Sequence, residues 1–231
     1  MTNLTELQAL GQEFDGGWQR KEVIGNATLY LGDCREVIPS LTFDSVVSDP
    51  PYGMAFQSNY RNVSHASISG DHDEEMLLWA CGIVPRHASY LFCRWDNLAA
   101  VPKPKSLITW VKNNHSMGDL EHEHGRQTEV ALFYPGPDHD FPSGRPNDVI
   151  RAPRTGNEYH PTEKPVQLMR AFIEWTRGIV LDPFMGAGST GLACHQLGRS
   201  FIGVEIHEPY FDIACKRIED AQRQGDMFAE G

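Results

Sequence analysis

The sequence predicts an α/β fold built on a mostly parallel, twisted sheet with helices on both faces. Short apolar runs of strand length alternate with stretches of helical period along most of the 231 residues. This alternation is typical of parallel sheets with right-handed crossovers. Two of the apolar runs, residues 45–47 and 178–181, lead directly into Asp-Pro loops. Because ligands bind beyond the carboxyl ends of strands in open α/β sheets, these loops are the expected positions of a site.

Length and composition favour one domain with a sizeable core. With 231 residues and 40% hydrophobic content, the chain is ordinary for a globular protein. No apolar run approaches the ~20 residues of a membrane span, and the N-terminus lacks the basic-then-apolar order of a secretory signal. Five scattered cysteines without a Cys-x-x-Cys pair indicate reduced thiols in a cytoplasmic protein. No zinc site is expected, although His122 and His124 are close in sequence.

Charge is segregated along the chain. The net charge of −11 argues against indiscriminate binding of nucleic acid, because phosphate contacts reward a basic surface. Basic residues nevertheless outnumber acidic ones between Arg86 and Lys112, and Arg145, Arg151 and Arg154 form a second basic cluster. This distribution is compatible with docking one face on a polyanion, and equally with ordinary solvated charge.

The first two thirds of the chain predict strands separated by irregular segments. The polar first fifteen residues indicate a mobile arm or a short helix, and residues 54–70 indicate a flexible loop. A helix is expected from about Asp73, and its apolar face comprises Met76, Leu77, Trp79, Ala80 and Val84. The other expected elements are strands at 28–31, 45–47, 89–93, 106–111 and 128–134, a short helix at 37–41, and loops at 113–127 and 135–146.

The last third is the most regular. Pro165 is expected to begin a helix, where proline is favourable. A buried strand at 178–181 then leads into a glycine-rich loop and a second helix, and a strand at 201–204 ends in Glu205. Pro209 opens a final helix. The expected inward residues of the first and last of these helices are Val166, Met169, Phe172, Ile173, Thr176, Phe211, Ala214, Ile218 and Ala221.

The first Asp-Pro loop, which we call the hook, is the segment Ser48-Asp49-Pro50-Pro51-Tyr52-Gly53. Each proline fixes its own φ, removes a backbone donor and restricts the preceding residue to extended conformations. The hook therefore holds a carboxylate, backbone carbonyls and an aromatic ring in fixed relative positions. Taken alone, it is also consistent with an ordinary exit from a strand.

The second Asp-Pro loop contains the spacing Gly186-x-Gly188-x-x-Gly191, and Glu205 follows Gly186 by 19 residues. This arrangement fits the dinucleotide fingerprint and so favours an NAD-dependent oxidoreductase. However, Asp182 puts a carboxylate where a pyrophosphate needs N–H donors. An acid there suits a cationic ligand such as an ammonium or a sulfonium group. Glycines that only permit close helix packing are the structural alternative.

The two loops together resemble those of the S-adenosylmethionine-dependent DNA amino-methyltransferases. Asp49-Pro50-Pro51-Tyr52 is similar to the catalytic loop of that family, and residues 182–188 are similar to its cofactor loop. Residues 160–165, His-Pro-Thr-Glu-Lys-Pro, and residues 32–34, Gly-Asp-Cys, match two further family segments. The motif order is that of the beta group. The resemblance covers residues 28 to about 220 and implies a Rossmann-like class I methyltransferase fold with circularly permuted motifs.

The resemblance implies one domain with a catalytic half at residues 28–112, a short target-recognition insert at about 113–158 and a cofactor-binding half at 159–223. It implies S-adenosylmethionine as cofactor and double-stranded DNA as substrate. The Asp49 carboxylate and the Pro50 carbonyl would accept hydrogen bonds from the exocyclic amine of a flipped base, with Pro51 keeping the hook stiff. Tyr52 would stack on that base.

The resemblance also implies a set of cofactor-binding residues. Glu205 would bind the ribose hydroxyls, and Asp182 with the backbone of the loop would hold the methionine end. Lys164 would close the site from the opposite side, with a salt bridge at the start of a helix as its alternative role. The implied set is Asp33, Cys34, Thr162, Lys164, Asp182, Phe184, Gly186, Gly188, Ser189 and Glu205.

Target specificity follows from the head of the hook and from the insert. Within the beta group, Asp at that position is commoner for N6-adenine and Ser for N4-cytosine, so adenine is favoured and cytosine is the alternative. The predicted DNA contacts are Lys112, Asn113, Asn114, His115, Arg126, Arg145 and Arg151. The small insert indicates a short recognition site or help from a second subunit in a homodimer. A cognate restriction endonuclease is left open as a partner.

Overall fold

The computed structural model describes residues 17–51, 74–115, 121–122, 124–156, 159 and 163–229, with side chains as far as Gln224. The expected arm at residues 1–15 and the loop at 54–70 lie outside these ranges. The strands are β1 (Trp18–Ile24), β2 (Ala27–Gly32), β3 (Ser45–Ser48), β4 (Ala88–Cys93), β5 (Ser106–Val111), β6 (Thr128–Pro135), β7 (Val149–Arg151), β8 (Val180–Asp182) and β9 (Phe201–Glu205). The α-helices are α1 (Cys34–Val37), α2 (Glu75–Cys81), α3 (Val166–Glu174), α4 (Ser189–Gln196) and α5 (Glu208–Ala229), with 3₁₀ turns at Ile38–Ser40 and Trp95–Ala99.

All nine strands described form one sheet in the order β1-β2-β9-β8-β3-β4-β6-β5-β7. The five neighbours from β2 to β4 are parallel to one another. In the described chain, only β1 and β6 run against the other strands. The predicted mostly parallel α/β sheet is therefore confirmed, and the carboxyl ends of its central strands meet at one edge.

Side chains of the central strands alternate between two apolar cores, as strand geometry requires. Val47, Tyr90 and Phe92 enter the core on one face of the sheet. Their sequence neighbours Val46 and Leu91 enter the core on the opposite face. Burial on both faces explains why these strands read as continuous apolar runs rather than as an alternating pattern.

Helices cover both faces of the sheet. Phe172 of α3, Cys194 of α4 and Ala214 of α5 belong to the first core. Val37 of α1 and Leu77 of α2 belong to the second. Each large apolar side chain that is fully buried in this way contributes about 1.5–3 kcal/mol to stability.

The strands and helices expected from the sequence are present within a few residues of their expected ends, and three details differ. Strand β1 was not expected because this edge strand is mostly polar, and its charged residues Arg20 and Glu22 lie on the half-buried face. The three-residue β7 is too short to give a pattern. Val84 is not on the apolar face of α2, since the helix ends at Cys81 and Val84 is 78% exposed. In the part of the chain that is described, no helix is long and apolar enough to cross a membrane.

Candidate active site

Four acidic side chains lie at the carboxyl ends of four neighbouring strands, at one edge of the sheet. Asp33 follows β2, Glu205 ends β9, Asp182 ends β8 and Asp49 follows β3. Since these strands are parallel neighbours, their carboxyl ends line up in that order. The edge therefore brings the hook and the glycine loop together, in the place where α/β sheets bind ligands.

Asp182 is the structural link between the two loops. Its Oδ1 accepts hydrogen bonds from the Ser48 hydroxyl at 2.5 Å and from the Phe184 N–H at 3.1 Å, and its Oδ2 accepts one from the Thr190 hydroxyl at 2.5 Å. Asp182 is 3% exposed, and burial raises its pKa despite these donors. Both oxygens are thus engaged inside the protein, and the expectation that Asp182 helps to hold the methionine end of the cofactor stays a prediction.

The glycine loop folds back tightly between β8 and α4. Gly186 and Gly188 have φ values of 50° and 81°, a region that favours glycine. A Cβ atom at Gly191 would come within 2.7 Å of Ile218 and 2.8 Å of Phe201. Close helix packing is therefore a real role of the third glycine, beside the role of the first two in shaping the loop.

Arg217 of α5 supports the glycine loop from outside. Its guanidinium donates to the Ala187 carbonyl at 2.6 Å and to the Glu163 carboxylate at 2.7 Å. It also lies 4.3 Å from the ring centroid of Tyr159. Because Glu163 lies in the expected cofactor segment, Arg217 connects that segment to the loop.

Glu205 is held by backbone donors on both oxygens. Oε2 accepts from the Gly186 N–H at 3.0 Å, and Oε1 accepts from the His207 N–H at 2.8 Å. Burial raises the pKa of Glu205 to about 7, and the backbone donors oppose that rise. Because a carboxylate offers about four acceptor sites, Glu205 can accept further bonds from a pair of hydroxyl groups while staying fixed. This donor set fits a ribose diol.

Asp33 and Cys34 begin α1, one strand away from Glu205. The Asp33 carboxylate caps the helix by accepting from the Arg35 N–H at 2.9 Å, and it forms an ion pair with the Arg35 guanidinium at 2.6 Å. These bonds lower the pKa of Asp33. Burial raises the pKa of the Cys34 thiol to about 12, so this thiol is neutral and unreactive.

The hook carries Asp49 into contact with Lys164. The Lys164 ammonium donates to Oδ2 of Asp49 and lies 3.4 Å from Oε2 of Glu129. Burial raises the pKa of Asp49 to about 6, although Lys164 pulls it down. Lys164 therefore forms a salt bridge with the hook itself, and its expected contact with the cofactor stays a prediction. Tyr52 and Thr162 lie outside the described residues.

The expected DNA contacts separate into two groups. Asn113, Asn114, His115, Arg145 and Arg151 are exposed, and Arg126 is half-buried. Lys112 is different, because it is buried and its ammonium pairs with Glu129. Lys112 is therefore a poor candidate for a DNA contact, since its ammonium is buried and already paired.

Sequence reasoning gave no role to several residues of this edge: Ser48, Trp95, Glu129, Thr190 and Arg217. Trp95 follows β4 and is 64% exposed. Its signal in the sequence is an aromatic flanked by Arg94 and Asp96 directly after a buried strand. Glu129 gives a weaker signal, an acid near the start of an otherwise apolar strand. The roles of Ser48, Thr190 and Arg217 depend on contacts between distant segments.

Comparison with known proteins identifies the family of this chain. The model of a family described as DNA methylase matches residues 140–216. The chain is 32% identical over 215 residues to the Escherichia coli (strain K12) protein named "Putative methylase YubD", covering 83% of this chain and 90% of that protein.

Two solved structures have the same architecture. The crystal structure of the M1.HpyAVI–SAM complex matches with a TM-score of 0.64 and 27% identity, covering 83% of this chain and 99% of that one. The PvuII DNA methyltransferase, described as cytosine-N4-specific, matches with a TM-score of 0.64 and 15% identity, covering 90% and 95% of the two chains. The second likeness shows the fold alone. The likeness to a methylase over 83% of the chain, the family match and the shared fold together show that this chain belongs to the S-adenosylmethionine-dependent DNA amino-methyltransferases.

Proposed function

We propose that this enzyme methylates the exocyclic N6 of adenine in duplex DNA at a specific site. The observation that carries the proposal is the contact between the hook and the glycine loop through the Ser48–Asp182 hydrogen bond. Glu205 lies at the end of the next strand of the same sheet edge. The Ser48–Asp182 contact joins the loop that carries the acceptors for a target amine to the strand between it and Glu205, whose carboxylate suits a ribose. The nicotinamide alternative leaves the hook without a role.

Asp49 and Pro50 act on the target amine. The amine lone pair is delocalised into the base, so the free amine is a poor nucleophile. Acceptors on both N–H bonds favour a tetrahedral nitrogen, whose lone pair can then attack. The Asp49 carboxylate and the Pro50 carbonyl are the proposed acceptors, and the two prolines fix them before the base arrives.

The cofactor side rests on Glu205 and the glycine loop. When bound, S-adenosylmethionine would supply a sulfonium methyl group: its S–C bond would break with the electron pair left on sulfur, and the amine lone pair would form the new N–C bond. The methylated nitrogen would then lose one of its two protons to water. Glu205 is the proposed ligand of the ribose hydroxyls, and the turn at Gly186 and Gly188 is the proposed site of the methionine end. The proposed role of Asp182 is to hold the loop in shape, with Ser189 and Thr190 at the start of α4.

Adenine is proposed over cytosine because the first residue of the Asp49-Pro50-Pro51-Tyr52 motif is an aspartate. A carboxylate there is the beta-group pattern for N6-adenine. Tyr52 is the proposed stacking partner of the flipped base, which offsets about 1–3 kcal/mol of the cost of flipping. N4-cytosine methylation is the second candidate.

DNA is proposed to lie across the edge that carries the hook. The exposed residues Asn113, Asn114, His115, Arg145 and Arg151, with Arg126, are the proposed contacts. Trp95 adds an exposed aromatic ring at the same edge, suited to stacking against a base. Lys112 is left out because it is buried.

The test is product analysis. The protein is incubated with labelled S-adenosylmethionine and unmethylated genomic DNA, which contains every short site, and the DNA is digested to nucleosides. N6-methyldeoxyadenosine that disappears in an Asp49→Asn variant supports the proposal. N4-methyldeoxycytidine would replace the adenine assignment, and no labelled DNA would refute the proposed function.

A further inference from the structure

Four ionisable side chains form a continuous row behind the hook: Lys112, Glu129, Lys164 and Asp49. Lys112 donates to Oε1 of Glu129, Lys164 lies 3.4 Å from Oε2 of Glu129, and the same ammonium donates to Oδ2 of Asp49. The charges alternate and sum to zero. Arg154 faces Lys112 from beyond the row.

The row is assembled from four separate elements. Lys112 follows β5, Glu129 is near the start of β6, Lys164 precedes α3 and Asp49 follows β3. Strands β5 and β6 are antiparallel neighbours, so the end of one and the start of the other share the edge. The Lys164 ammonium also lies 4.9 Å from the ring centroid of Phe92, which fixes it from a third side. Both lysine side chains are 8% exposed, so bulk solvent screens their charges little.

We propose that Glu129 is a positioning residue for methyl transfer, which shares Lys164 with Asp49 and so offsets the positive charge that the Lys164 ammonium places near the target amine. This inference rests on the proposed function. The target nitrogen becomes positive as its lone pair forms the new N–C bond. Without Glu129 the row would carry a net charge of +1 and would oppose that change. With Glu129 present, Asp49 can stabilise the developing charge.

The groups around Asp49 shift its pKa in different directions. Burial raises the pKa of Asp49 most, Lys164 lowers it, and Glu129 and Asp182 raise it. Cys93 also faces Asp49, but burial raises the pKa of its thiol to about 12, so it stays neutral. Burial opposes the charge of Lys164, yet Asp49 and Glu129 together raise its pKa. Lys164 therefore stays charged while Asp49 titrates.

The test compares the acid limb of kcat against pH in two variants. Glu129→Gln removes a negative charge near Asp49, so the limb should move about 0.5–1 pH unit lower while kcat on the plateau falls about tenfold. Lys164→Met removes a positive charge, so the limb should move about 1 pH unit higher. A purely structural role for these residues would lower activity without moving the limb in opposite directions.

Asp44→Asn is the matched control. Asp44 lies at the other end of β3, where its carboxylate accepts from the Ile179 N–H at 2.8 Å. This variant also exchanges a hydrogen-bonded carboxylate for an amide, and its acid limb should match that of the wild type. Limbs that coincide in Glu129→Gln, Lys164→Met and wild type would overturn the proposal, as would limbs that move in the same direction.

A second measurement is independent of catalysis. The carboxyl carbon of Asp49 is titrated by NMR without DNA or cofactor, with its signal assigned by its loss in Asp49→Asn. Opposite shifts in Glu129→Gln and Lys164→Met are expected here too, and equal titrations would overturn the proposal. If the wild type labels no DNA while these shifts occur, the proposed function fails and the control of charge on Asp49 by Glu129 stands.

Discussion

The Ser48 hydroxyl donates a 2.5 Å hydrogen bond to the Asp182 carboxylate, across 134 positions of the chain. Ser48 immediately precedes Asp49, and Asp182 opens the glycine loop. Strands β3 and β8 are parallel neighbours, so this bond closes their pairing at the carboxyl end. It sets the position of the hook relative to the cofactor loop.

Ser48→Ala should therefore weaken both stability and catalysis. It leaves Oδ1 of Asp182 with the Phe184 N–H as its remaining hydrogen-bond donor, and an under-satisfied buried carboxylate costs about 1–3 kcal/mol. Denaturant unfolding should show that loss, and calorimetric titration should show weaker cofactor binding. Ser45→Ala is the control, because Ser45 is equally buried in β3 and donates to the Arg177 carbonyl at the opposite end. Weaker cofactor binding in Ser45→Ala as well would contradict a specific link at Ser48.

Asp49→Asn should abolish methylation and largely spare cofactor binding. The amide retains the size of the side chain but loses the negative charge that stabilises the reacting nitrogen, so kcat should fall by at least about 10²-fold. Single-turnover assays and cofactor titrations separate the two properties. Parallel loss of activity and cofactor affinity would mean that Asp49 supports the fold rather than the reaction.

Cofactor affinity should increase with pH around neutrality. Glu205 has a pKa of about 7 because it is buried, and its ionised form is the one that accepts ribose hydroxyls. Protons compete with binding below that pKa, so the affinity should be about tenfold weaker at pH 6 than at pH 8 and level above it. Calorimetry at several pH values measures this slope. Glu205→Gln should bind more weakly with a flatter profile, and an unchanged slope in this variant would assign the proton to another group.

Charge reversal at Arg145 and Arg151 should weaken DNA binding. Both side chains are exposed, and each lost phosphate contact removes part of the electrostatic attraction. Fluorescence anisotropy with labelled duplex should show at least about a tenfold loss for the double variant. Arg170→Glu on α3 is the control, since Arg170 is a half-buried arginine whose guanidinium pairs with Glu174 within its own helix. Unchanged DNA affinity in the double variant would place DNA elsewhere.

Features of the site that depend on one short segment of the chain could be predicted from the sequence. Asp49, Asp182 and Glu205 each follow an apolar strand, and the order of a parallel sheet suffices to bring them to one edge. The central strands were predictable because burial on both faces leaves continuous apolar runs. Edge strands β1 and β7 lack that signal.

Pairings between distant segments were not predictable in the same way. Glu129 contacts Lys164 because β6 lies between β4 and β5 in the sheet. No local sequence pattern predicts this strand order. The same insertion buries Lys112, whose position in the sequence suggested a surface cation. Arg217 reaches the glycine loop from a helix that begins 20 residues after it.

The burial of the row from Lys112 to Asp49 gives the enzyme two classes of charge that respond differently to ionic strength. Ions at physiological concentration screen exposed charges over roughly 8 Å of water, but they do not enter a packed interior. Added salt should therefore raise the KM for DNA through surface arginines such as Arg145 and leave kcat nearly constant. A salt titration at saturating cofactor thus separates DNA capture from the electrostatics of the chemical step.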